Sequence, residues 1–156
     1  MPSTAPDPFL IEPELWYGVL CEEVRMDQHQ RLDLVRVFNR VYIQVPPESS
    51  GIRPFAHLQA ALVVGLSHGV GNFEATVRLE DVDGHVLWER PERWEFSVGP
   101  GDAPAAILAE PVDEWFREAG SYYYVVRLSP GSGEFRIRFE VAPEPPPQLA
   151  APTAAP

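Results

Sequence analysis

Residues 65–69 read Gly-Leu-Ser-His-Gly, the G-x-S-x-G spacing with which serine hydrolases lift a nucleophile onto a sharp turn between a strand and a helix. Ser67 would then be the nucleophile, and His85, the only histidine downstream of His68, would have to be its base. The flanks argue against that chemistry. After Gly69 comes VGNFEATVRLED, which alternates at period two as a strand does, so the helix that supports a nucleophile elbow is missing. Gly65, Gly69, Gly71 and Asn72 are turn residues between two strands, and His68 is a loop side chain.

A second constellation is built on His57, Asp81, Asp83 and His85. If residues 58–66 and 73–80 pair as a hairpin closed by 67–72, His57 falls beside Asp81 and Asp83, with His85 at the same end. Two imidazoles and two carboxylates suit zinc or another transition metal. Asp81-x-Asp83-Gly84 also copies a fragment of an EF-hand loop, but no glutamate closes twelve residues and calcium needs six to eight oxygens. Asp83-Gly84 between two strands is by itself a hairpin signal.

The remaining candidates carry less. Glu22-Glu23 and Asp113-Glu114 are adjacent, and adjacent strand residues face opposite sides, so neither is an acid/base pair. Trp16, Trp88, Trp94 and Trp115 offer rings for stacking on sugars, with Trp94 in phase with a core face and Trp88 the one to watch for exposure. Cys21 is the sole cysteine, which excludes an intrachain disulfide and fits a reducing compartment; between Leu20 and Glu22 it reads as a small buried hydrophobe. No residue is therefore assigned as catalytic, cofactor-binding or metal-ligating, and no cofactor is expected.

The elements that position these residues are strands. FRIRFEV places Phe135, Ile137, Phe139 and Val141 on one face and charges on the other, the pattern of a half-buried antiparallel strand. Phe73, Ala75, Val77 and Leu79 repeat it, as do Trp94, Phe96 and Val98, and Tyr122, Tyr124, Val126 and Leu128. HLQAALVVGLS is apolar on both faces, which predicts a central strand covered above and below. WYGVLCEEVRM and RLDLVRVFNRVYI flank the turn DQHQ as a hairpin with a bulge near Leu34-Val35. EPVDEWFREAG offers a helical turn from Pro111 or an irregular crossover. Seven or eight strands predict an antiparallel two-sheet β-sandwich of immunoglobulin-like, Greek-key type, with a small closed barrel as the alternative. Gly120 ahead of Tyr122 predicts a tyrosine corner, in which the hydroxyl bonds to upstream backbone.

The 156 residues, 45% hydrophobic and 22% charged, suit one domain. Residues 1–14 form a Pro-rich N-terminal segment, 15–141 the sandwich and 142–156 an Ala/Pro-rich tail too poor in apolar surface to order itself. The net charge of −11 belongs to the sandwich, because only Asp7, Glu12, Glu14 and Glu144 lie outside it. No basic run is present, which removes the counterion-release drive for nucleic acid. No apolar run spans a bilayer and no signal peptide is evident, so a cytoplasmic protein without membrane insertion is expected.

YGVLCEEVRMD, RLDLVRVFNRVYI, FEATVRLEDVDGHVL and FREAGSYYYVVRL together resemble an uncharacterised bacterial family of small β-sandwich proteins, a domain of unknown function. The resemblance implies the fold and carries no activity or site residues. The expectation is a non-enzymatic sandwich acting by protein–protein contact, as a self-associating unit or an accessory subunit of a bacterial assembly. A carbohydrate- or metal-binding module is the alternative, and a hydrolase using Ser67 follows it.

Overall fold

The computed structural model describes residues 10–101 and 106–143. Strands β1 (Glu14–Met26), β2 (Leu32–Phe38), β4 (Ala56–Ser67) and β8 (Ala106–Phe116) make a four-stranded sheet in the order β2-β1-β4-β8. The other sheet runs β3 (Arg40–Tyr42), β10 (Glu134–Ala142), β9 (Gly120–Ser129), β5 (Gly71–Asp81) and β6 (Val86–Glu89), and β7 (Trp94–Val98) joins it by pairing with β5. The two sheets pack as a sandwich, with no closed barrel.

Alternation settles which side chains meet between the sheets. Phe73, Ala75, Val77 and Leu79 of β5, Tyr122, Tyr124, Val126 and Leu128 of β9, and Ile137, Phe139 and Val141 of β10 are all in the buried cluster, with Phe135, Trp94, Phe96 and Trp88 packed against it. The four-stranded sheet answers with Leu20, Ala56, Leu58, Leu62, Val64, Leu66, Leu108, Val112 and Phe116. At one end Phe116 packs on Tyr122 and Phe139, with ring centroids 4.6 and 5.7 Å away. Such offset and edge contacts add to simple area burial.

Four sequence expectations are corrected. β4 and β5 are consecutive but lie in different sheets, so no hairpin joins them. Residues 67–71 cross over instead. RLDLVRVFNRVYI is two strands, because the chain leaves the four-stranded sheet at Asn39 and β3 runs parallel to β10 in the other. The β1–β2 register holds on both sides of Arg36, which takes a φ of 51° without shifting the pairing, and the bulge falls at Trp16, where β1 slips against β4. Lastly, residues 106–116 are a strand paired with β4 along its whole length rather than a helical turn. Leu108, Val112 and Phe116 bury one face of it, and Pro111 is tolerated because β8 is an edge strand, where its missing N–H faces away from β4. Extra strands at these breaks raise the number from the expected seven or eight to ten among the described residues.

The expected tyrosine corner is present. The Tyr122 hydroxyl donates to the Glu118 carbonyl at 2.8 Å while its ring stays buried. Two positions on, Tyr124 is fully buried and its hydroxyl has no partner; burial first, then the nearby Glu114 charge, holds that phenol far above its ordinary pKa. Outside the sandwich proper, Leu10 packs against the core and Ile11 exchanges both backbone hydrogen bonds with Val70 at 2.9 and 2.8 Å. The expected disorder of residues 144–156 lies outside the described residues.

Three tyrosines in a row therefore differ in what their hydroxyls do, and urea unfolding of three variants checks it. Tyr122→Phe is expected to destabilise by about 1–2 kcal/mol, since a buried carbonyl loses its donor. Tyr123→Phe, on the outward side of β9, is expected to change little. Tyr124→Phe is expected to stabilise by about 1 kcal/mol by removing an unpaired buried hydroxyl.

Candidate functional site

Each glycine of Gly65-Leu66-Ser67-His68-Gly69 is explained by what lies against it. Gly65 faces outward on β4, and a Cβ there would sit 2.3 Å from the Tyr17 ring, so its absence lets that ring lie on the sheet. Gly69, at φ 98°, abuts Pro13 and the Ile11 backbone, where a Cβ would come within 2.8 Å. Ser67 ends β4 opposite Glu14, His68 takes a left-handed φ of 59°, and β5 starts at Gly71. A strand follows the serine where an elbow needs a helix. No histidine or carboxylate bonds to Ser67 among the described residues.

Three of the four metal candidates gather. Ligand atoms of Asp81, Asp83 and His85 lie within 4.8 Å of one another in the β5–β6 turn. The turn itself uses them: Asp81 Oδ1 accepts from the backbone N–H of Asp83 and of His85, both at 2.9 Å, and Oδ2 meets His85 Nδ1 at 3.0 Å. The His85 amide, its ring and then the Asp83 amide hold the Asp81 carboxyl below the usual range. His57 is elsewhere, because its strand belongs to the other sheet. It pairs with Trp115 in register, stacks on that indole at 3.8 Å and places Nε2 2.5 Å from Asp113.

Glu22 and Glu23 separate as adjacent strand residues must: Glu22 meets Arg36 at 3.3 Å and Glu23 meets Arg25 at 2.8 Å. Asp113 points to solvent. Glu114 is half-buried, with its carboxyl pushed up by burial and then by Asp113. Cys21 is fully buried, and that burial raises its thiol. Trp88 is half-buried over Leu79 and packs on the core, so it presents no open ring; the exposed indoles are Trp16 at 61% and Trp115 at 58%.

What the sequence missed is a contrast between the two outer faces. On the six-stranded sheet the outward positions carry interleaved ion pairs: Arg127 with Glu134 at 2.8 Å, Arg138 with Glu140 at 2.7 Å, Arg93 with Glu74 at 2.9 Å, and Glu80 held by Arg78 and Arg136 at 3.3 and 3.4 Å. Arg136 also lies over the Tyr123 ring. The four-stranded sheet presents the opposite chemistry. Its register sets Tyr17, Gly65 and Ile107 in one outward row, Val19, Val63 and Ala109 in the next, and Val37, Cys21, Ala61 and Pro111 in a third. No charge interrupts those rows. Charged and polar residues return only in the two rows beyond, with Glu23, Gln59 and Asp113, then Arg25, His57 and Trp115.

This face is dense. Val63 and Cys21 are fully covered by their surroundings although neither belongs to the core between the sheets. Around them Trp16, Val37, Ile107, Ala109 and Pro111 remain exposed. Where β1 parts from β4 beyond Cys21, a cleft of about 610 Å³ opens between Glu22, Arg36, Phe38, Tyr42, His57 and Gln59. Its charged members are already tied to each other by the Glu22–Arg36 pair.

Two measurements check these assignments. A fluorophosphonate probe is expected to leave Ser67 unlabelled, and Ser67→Ala to leave the melting temperature nearly unchanged; covalent labelling at Ser67 is the opposing result. Because the folded Asp81 pKa is lowered, its stabilising effect is present above the unfolded-state value and disappears as pH falls through the folded one. Asp81→Ala is therefore expected to lower the melting temperature at pH 7, with the difference from wild type shrinking as the solution is acidified below the ordinary carboxylate range.

Among the described residues no helix is long and apolar enough to cross a membrane. No protein-family model matches the chain, and no curated protein matches it.

Proposed function

We propose that this protein is a non-enzymatic interaction module that docks through the outer face of its four-stranded sheet, as a subunit of a larger assembly. The observation carrying this reading is the unequal chemistry of the two outer faces. One is an ion-pair lattice suited to water. The other sets Tyr17, Val19, Val37, Ala61, Ala109, Pro111 and Ile107 side by side without a charge, and contiguous apolar surface of that kind marks interaction sites on soluble proteins. Edge-to-edge association is opposed by the sheet borders: Pro111 interrupts the β8 edge, β3 has three residues, and β6 and β7 have four and five. Short strands and prolines blunt edges. The face is what remains for contact. The resemblance to a bacterial sandwich family is what sets the proposed assembly in a bacterium, in its cytoplasm.

A second reading, a sugar-binding module, is favoured by Trp115 rather than Trp88. Its indole is backed by His57, stands beside Phe55 with ring centroids 5.1 Å apart, and is neighboured by the exposed carboxylate of Asp113. A glycan panel followed by tryptophan fluorescence, with Trp115→Ala as the control, tests that reading.

For docking, a photo-crosslinking amino acid is placed at Ala109 or at Arg127 in producing cells. The expected outcome is a discrete adduct of defined mass from position 109 and none from position 127. Equal adducts at both positions, or none at 109, would overturn the reading.

A further inference from the structure

We infer that the occupant of this face is a second copy of the same chain, laid sheet against sheet about a two-fold axis between the two faces. This rests on the docking reading above and goes further by naming the partner. The first support is electrostatic. Each copy carries a net charge of −11, so two copies repel on most approaches. The uncharged rows of the four-stranded sheet let them meet with no carboxylate opposed to carboxylate. The same rows offer no unpaired cation or anion by which a charged partner would be selected.

Shape is the second support. The rows form an open sheet surface rather than a groove for a helix or an extended peptide, and its natural complement is another sheet with the same twist. A two-fold pairing supplies that complement from the same sequence. Blunted edges leave such stacking as the available geometry.

Size agrees with this. Four strands about 4.8 Å apart and five outward rows about 6.7 Å apart make a face of about 19 by 33 Å. A stacked pair then covers about 1,200 Å² in total, the lower bound of stable, specific interfaces. An interface of that size is expected to hold at tens of micromolar and to come apart on dilution to about micromolar or below.

Sedimentation velocity of the full chain, across about 1 to 300 µM, is the test. The expected result is a concentration-dependent species at twice the 17.4 kDa chain mass. Ala61→Arg and Ile107→Arg each set like charges against each other across the axis and are expected to shift the midpoint of dimerisation at least tenfold upward. Thr76→Glu, on the outer face of the other sheet opposite Arg127, is expected to leave it unchanged. Circular dichroism verifies that each variant is folded. Ile107, 39% exposed at the end of β8, is the safer position should Ala61→Arg unfold. A dimer that ignores both arginines overturns the inference by placing the contact elsewhere. A chain that stays monomeric to 300 µM also overturns it; if position 109 still crosslinks to a different protein in cells, the docking reading survives without the second copy.

Discussion

The crossing at residues 67–71 is the constraint on which the architecture depends. β4 is flanked on both sides in one sheet and β5 on both sides in the other, so the few residues between them must carry the chain across the full thickness of the core. His68, Gly69 and Gly71 do this with three positive φ angles of 59°, 98° and 131°. Ile11 and Pro13 lie over the crossing and bond to it at Val70. Everything downstream inherits the result. β5 recruits β9 on one side and β6 with β7 on the other, whereas β4 recruits β1 and β8. A spacing that imitates a catalytic serine motif is here the point where one sheet is handed over to the other.

Much of the fold was legible because period two reports orientation faithfully. The inward residues of β5, β7, β9 and β10 follow from alternation alone, and Gly120 ahead of Tyr122 announces a hydroxyl that bonds upstream. Alternation does not report neighbours. Residues 58–66 and 73–80, separated by a short glycine-rich turn, satisfy every local signal for a hairpin, and that inference is what placed His57 beside Asp81. One clue in the sequence runs the other way. Strands sharing a sheet share its outer face, yet β4 turns Ala61, Val63 and Gly65 outward while β5 turns Glu74, Thr76 and Arg78. Two such strands cannot line the same surface without mixing its chemistry.

The candidate docking face was half legible for the same reason. HLQAALVVGLS announces a strand apolar on both sides, and the expectation of cover above and below is met on one side by the core. That Val19, Val37 and Ala109 stand in rows with it depends on the registers of β1, β2 and β8, which no single segment specifies. β8 was obscured further by Pro111, because proline among Val112, Trp115 and Phe116 reads locally as the start of a helical turn. Only its position at the border of a sheet explains how a strand accommodates it.

Pro111 also bears on whether an assembly of this protein ends or continues. Strands added at an edge leave a new edge behind them, so growth by that route has no internal stop and leads to ribbons or fibres. Faces stacked about a two-fold axis consume each other and leave nothing further to join. By removing one donor from the middle of the longest border of the four-stranded sheet, a single imino acid biases this sandwich toward closed, countable associations and away from open-ended ones.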